Sequence, residues 1–380
     1  MNNIVLVTHC VDTEGPIGGD VRRREDGSQE FMGTWEEIME SLGELTSDRF
    51  RQLHADSFGN PYLYNWFLMD FTGFKTNPKN RVTKYNDTYD HIISLPTQFD
   101  HLYWHYHHPP TNGVGDQWSG DWDSSDEYNN ILCHRLIDRH DFPEVFRAGG
   151  TIEDNKCSHW LEKNIMVDYS NRVSKKSYPT DNIFDFNWFG TPSHQGFYHP
   201  SFEDFTKPGS MRRYIVKCND LKSRLCEVNQ YDVDECFAMA RYYERPILLS
   251  YFSHDHRDMR EETDCVYKML TKASLKYNIN WEYCGALAAV QRLDNLDIKK
   301  VFMDVEIIRD MMVIKTDSPI YQDEPFVAVK YDREYARLYP IRVDDWWWCN
   351  IRYALDIGVA VTSLSGNKTV WSKNVSYYTG

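Results

Sequence analysis

The chain has no long hydrophobic run. Nothing in it approaches the roughly 18 apolar residues of a bilayer-spanning helix, and the first run, Ile4-Val5-Leu6-Val7, gives way to Thr8-His9-Cys10. Neither a membrane span nor a secretory leader is expected. Cysteines are few and unpaired in pattern: nine in 380 residues, an odd count, with no CxxC spacing. That excludes a zinc ribbon, argues against a disulfide framework, and makes a reducing, cytoplasmic setting the expectation. Positive charge is also short, since 42 Lys and Arg against 57 Asp and Glu leave a formal net charge of −15. The basic patch Arg22-Arg23-Arg24 lies beside acids and reads as a solvated turn. Nucleic acid and anionic membrane surfaces are therefore not expected partners. Internal repeats, low-complexity segments and long flexible linkers are absent too.

What is present is enough apolar material for a packed core, 41% of the residues, and a length suited to one large domain with a smaller one, or to two or three modest ones. Strand-like runs at 4–8, 63–70, 102–104, 145–146, 165–167, 247–252 and 279–284 alternate with helical patterns. Those patterns begin at Thr34-Trp35 and cover 124–140, 158–164, 232–243 and 261–277. Such alternation predicts an α/β fold with a mainly parallel sheet. From about 299 the texture changes to short apolar runs at 301–303, 312–314, 326–329 and 359–361 separated by turn residues, with a single possible helix at 346–354. The expectation is a barrel-like domain over 1–298 and a small antiparallel β domain over 299–380.

Four polar clusters each follow one of the strand-like runs: Asp12-Thr13-Glu14, His105-Tyr106-His107-His108-Pro109, Arg147-Ala148-Gly149-Gly150 and His254-Asp255-His256. Chemical groups recurring at the C-terminal ends of successive strands predict the mouth of a β/α barrel, where those ends meet. In extended backbone, residues i and i+2 share a face, so Asp12 and Glu14 can address one cavity. One of them can ligate a metal while the other takes a proton from water. His105 and His107 share a face in the same way, with His108 as an alternative ligand if the chain turns before Pro109. Mixed imidazole and carboxylate ligands suit a divalent metal, zinc foremost, with cobalt, nickel or iron as alternatives. Arg147 can orient a catalytic carboxylate or hold substrate, and the small residues after it leave room for a ligand or for close backbone approach. His254 or His256 can act as a general acid, oriented by Asp255 or another acid. The 25 Tyr and 12 Trp include faces suited to sugar rings. Trp104, with Asp255 and His256, is the expected substrate contact.

Read in order, these clusters resemble the NodB-type polysaccharide deacetylases, metal-dependent enzymes that remove acetyl groups from sugars. Val11-Asp12-Thr13-Glu14-Gly15 looks like their first motif, with one residue between the acids instead of an adjacent pair. His105-Tyr106-His107-His108-Pro109 is similar to the second, with the histidine spacing compressed from four. Phe146-Arg147-Ala148-Gly149-Gly150 resembles the third. Trp160 to Asn164 followed by Val167-Asp168-Tyr169-Ser170 matches the helix and strand after it, and His254 or His256 matches the last motif. The resemblance spans about residues 4–290 and implies a distorted (β/α)7-type barrel. It implies Asp12 as base braced by Arg147, metal held by Glu14 with two of His105, His107 and His108, and His254 as acid. The activity it implies is removal of an acetyl or similar acyl group from an amino sugar or glycan precursor in bacterial surface-polysaccharide assembly. The altered metal motif leaves two other readings: a metal-independent C–N hydrolase acting on a small amide, and an inactive barrel that binds sugars or a partner.

Overall fold

Strand β1, Ile4–Thr13, is buried along its whole length, and the rest of the large sheet is built around it. In the computed structural model, residues 3–17, 31–69, 87–109, 119–173, 187–221 and 228–375 are described. The expected turn at Arg22–Arg24 and the strand end at Asp70 lie outside them. The chain continues through β2 (Asn65–Met69), β3 (His101–Tyr106), β4 (Val145–Ala148), β5 (Val167–Asn171), β6 (Phe197–Tyr198), β7 (Tyr214–Lys217), β8 (Asn219–Asp220), β9 (Ile247–His254) and β10 (Asn280–Tyr283). The hydrogen-bonded order is β6-β7-β5-β4-β3-β2-β1-β9-β8, with β10 paired to the first half of β1. Every pairing is parallel except that of β6 with β7. Strands β7 and β8 are one nearly continuous segment, pairing first with β5 and then with β9. The sheet thus curls back on itself, an arrangement consistent with a distorted barrel.

Alternation along the strands sorts the side chains into two layers. Ile4, Leu6, Cys10, Phe67, Tyr103, Val145, Val167, Tyr169, Leu248 and Phe252 pack together on the concave side. Val5, Val7, Val11, Trp66, Leu68, Ile247, Leu249 and Tyr251 face the surrounding helices on the other. Helix Trp35–Leu45 opens with a capping box in which the Thr34 hydroxyl accepts from the Glu37 N–H and the Glu37 carboxylate accepts from the Thr34 N–H. The expected start at Thr34-Trp35 is met for that local reason.

Several boundaries differ from expectation. The strand placed at 165–167 runs Val167–Asn171, because Ile165 ends the preceding helix and its N–H donates to the Leu161 carbonyl. Helix Glu127–Arg139 begins after a short 3₁₀ turn at Trp122–Ser124. Helix Ala286–Leu293 was not anticipated; its buried face completes the concave-side core.

The C-terminal residues form β11 (Met303–Ile308), β12 (Met311–Thr316), β13 (Phe326–Tyr331), β14 (Glu334–Leu338), β15 (Ile341–Val343), β16 (Trp346–Asn350), β17 (Asp356–Thr362) and β18 (Lys368–Asn374). They make two antiparallel four-stranded sheets, β11-β12-β16-β15 and β14-β13-β17-β18. The helix considered at 346–354 is instead strand β16. Trp347 and Cys349 point into the core between the sheets while Trp346 and Trp348 are only partly covered, a period of two and not of 3.6. Strand β13 is buried on both faces: Val327 and Val329 join that core, and Phe326 and Ala328 pack on Leu132, Leu136 and Phe142 beside helix Glu127–Arg139.

Candidate functional site

The site assembles at the C-terminal ends of β1, β3, β4 and β9, on the concave side. Asp12 is the penultimate residue of β1 and pairs in register with His254, the last residue of β9. His105 pairs with Arg147 across β3 and β4. Register and alternation thus bring a carboxylate, a guanidinium and two imidazoles to one place, although they come from positions 12 to 254 of the chain.

Glu14, His105 and His107 converge. Glu14 Oε1 lies 3.3 Å from His105 Nε2 and 3.1 Å from His107 Nε2, and the two nitrogens are 2.9 Å apart. All three residues are buried. His105 Nδ1 is 3.0 Å from the Arg147 carbonyl, a bond that places its proton on Nδ1 and leaves the Nε2 lone pair toward Glu14. Donor atoms about 2.0–2.2 Å from a shared centre and about 90–110° apart are about 2.8–3.6 Å from one another. The three observed separations meet that requirement, so the donor set fits a divalent metal. Gly149 makes the packing possible: a Cβ there would lie 2.3 Å from His107 Cγ. The small residues after Arg147 therefore leave room for His107.

Beside this triad, Asp12 accepts from Arg147 Nε at 2.6 Å. Arg147 also donates to the Tyr169 carbonyl and lies 3.7 Å over the Phe252 ring. Burial raises the Asp12 pKa, while Arg147 and His105 pull it down. His254 Nε2 is 3.9 Å from Asp12 Oδ2. Burial first, then Arg257 and His256, lower the His254 pKa well below its ordinary value, so the neutral ring is favoured.

Four expected residues are placed differently. His108 is not with the triad: β3 ends at Tyr106, and the ring points to the helix side, 3.0 Å from the Tyr106 hydroxyl and 2.9 Å from Ser124 Oγ, stacked near Trp122. Its pKa is lowered to about 4, by burial foremost. Trp104 alternates to the same side and is fully buried among Trp122, Phe146 and Trp160, which removes it from any substrate. Asp255 is fully buried, and its oxygens accept the Glu14 and Gly15 N–H groups at 2.9 Å each, so it orients neither His254 nor a ligand. His256 is buried, its ring centre 5.0 Å from that of His254 and 5.1 Å from that of Phe31. Its pKa is lowered, again chiefly by burial. Sequence reasoning missed the Tyr169 carbonyl and the Phe252 ring. The second was open to a period-two argument, since Phe252 lies two residues before His254 in the same strand.

No described helix is long and apolar enough to cross a membrane. No family model matches the chain, and no curated protein matches it. Among solved structures it is similar to a protein of Parabacteroides distasonis described as a candidate glycoside hydrolase/deacetylase, at 10% identity and a TM-score of 0.44, covering 98% of this chain and 84% of that one. A Cellulomonas fimi endo-β-1,4-mannanase double mutant is similar at 9% identity and a TM-score of 0.29, covering 98% and 94%. Likeness at this level carries no argument about function, which is left to the geometry of the side chains.

Proposed function

We propose that the chain is a metal-dependent hydrolase of the distorted (β/α)7 deacetylase type, removing an acetyl or similar acyl group from an amino sugar or glycan precursor. The observation that carries this is the convergence of Glu14, His105 and His107 within 3.3 Å of one another beside Asp12. Those three residues hold the ion, zinc foremost. When bound, it supplies Lewis acidity toward the acyl carbonyl and the attacking water.

The chain's own groups divide the remaining work. Asp12 takes the proton of the attacking water. Arg147 holds the Asp12 carboxylate in place through Oδ1, leaving Oδ2 toward His254. His254 delivers a proton to the departing nitrogen. Because burial disfavours a resting imidazolium, that proton is gained within the cycle, and the Asp12 carboxyl at 3.9 Å is the nearest source. The setting proposed is a cytoplasmic step in surface-polysaccharide biosynthesis.

The test combines metal analysis of protein purified without chelator with acetate release from N-acetylated oligosaccharides. Near-stoichiometric zinc, lost in Glu14→Ala/His105→Ala, with turnover reduced about 10²–10⁴-fold in Asp12→Asn, is the expected result. Turnover that survives both chelation and Asp12→Asn would overturn the reading.

A further inference from the structure

Asp255 is a carboxylate inside the site that the proposed chemistry leaves without a task. It lies between His254 and His256 in sequence and stands 3.6 Å from His256 Nδ1, but its hydrogen bonds go to the backbone. Oδ1 accepts the Glu14 N–H and Oδ2 the Gly15 N–H, each at 2.9 Å. Its own N–H donates to the Asp12 carbonyl at 3.3 Å. Glu14 and Gly15 stand just past the last residue of β1, where strand pairing no longer holds the backbone. Gly15 has φ +74°, a left-handed conformation suited to glycine. Two successive amides converging on one anion form a backbone anion site, and such charge-assisted bonds are about twice as strong as neutral ones.

We propose that Asp255 is a positioning residue for the metal carboxylate, an inference that rests on the metal reading above. By clamping the Glu14–Gly15 peptide it fixes the main chain from which the Glu14 side chain reaches His105 and His107. It also ties that ligand to β9, the strand that carries His254. Without the clamp, the turn after β1 loses both of these backbone hydrogen bonds, and the Glu14 main chain is no longer fixed relative to His105 and His107.

The experiment uses Co²⁺ as probe on the full chain. Its dissociation constant is measured by competition with a chromophoric chelator, and the visible absorption of the Co²⁺ form is recorded, for wild type, Asp255→Asn and Asp255→Glu. Thermal melting and circular dichroism are recorded in parallel. Asn keeps the size but turns an NH₂ toward one of the two amides. The Asn variant is expected to bind Co²⁺ about 10–100-fold more weakly with an altered visible spectrum, and the Glu variant, which keeps the charge, to recover part of the affinity. A lowered melting temperature with affinity and spectrum unchanged marks a merely structural role and overturns the proposal. Should the Asn variant not fold, Asp255→Ser, which removes the carboxylate, takes its place, and an unchanged affinity and spectrum in it overturns the proposal equally. Wild-type protein that takes up no Co²⁺ brings down the metal reading itself, an outcome distinct from intact binding in both variants.

Discussion

Gly149 shows how tightly single residues are specified in this site. With a Cβ at that position 2.3 Å from His107 Cγ and 2.7 Å from its Cα, even alanine forces the imidazole or the strand to move. Gly149→Ala is expected to cost about 1–3 kcal/mol of stability by overpacking and to weaken zinc binding, as read by urea unfolding and metal titration. His9 lies on the opposite side of the sheet from the site histidines. It is on the helix side of β1, bonded to the Tyr62 hydroxyl at 2.8 Å and Ser253 Oγ at 2.6 Å, and burial lowers its pKa from 6.5 to about 3. Below pH 6.5 the unfolded chain takes up a proton that the folded chain refuses. Stability therefore falls as pH drops through the window from 6.5 to about 3, by about 1.4 kcal/mol per unit at most. Melting temperature measured across that range should show the slope, and His9→Gln should reduce it, leaving the part that comes from His108 and the other buried histidines.

At the scale of elements, the site follows from strand parity. Asp12, His105, Arg147 and His254 share the concave face with Phe67, Tyr103, Val145 and Phe252, each two residues or a register step away. This much was legible in the sequence, because polar clusters after apolar runs and the i, i+2 spacing require nothing beyond a strand. The same rule could have removed Trp104, which sits one residue from His105 and must face the other way. His108 was harder, since its place depends on β3 ending at Tyr106 and on Trp122 and Ser124, which arrive from a different segment. Asp255 was legible as part of the site but not in its role, because its partners are backbone amides that no side-chain pattern displays. The tryptophan run at 346–348 misled for another reason: β16 is short and its alternation is between two degrees of burial, not between apolar and polar residues.

In the whole molecule, the C-terminal sheets are bound to the barrel side through β13, β14 and β17 against helix Glu127–Arg139. Phe326, Ala328 and Ala360 share one buried cluster with Leu132, Leu136 and Phe142. A chain ended at residue 298 would leave the helix side of that cluster bare, an exposed apolar patch. It is expected to aggregate or bind a hydrophobic dye where the full chain does not, a comparison made by light scattering and dye fluorescence.

The segment from Tyr214 to Asp220 has a mechanical consequence. The ring of strands is fastened there by two register pairs, Asn219 with Tyr251 and Asp220 with Phe252, whereas β9 is joined to β1 by eight. Only the β4–β5 joint inside the curled sheet is as short, also two pairs, and the β8–β9 joint adjoins the strand that ends in His254. Amide exchange at Asn219 and Asp220 should outpace that along Val5–Asp12. Opening at the β8–β9 joint would shift His254 relative to Glu14, His105 and His107, which lie at or just past the ends of β1 and β3.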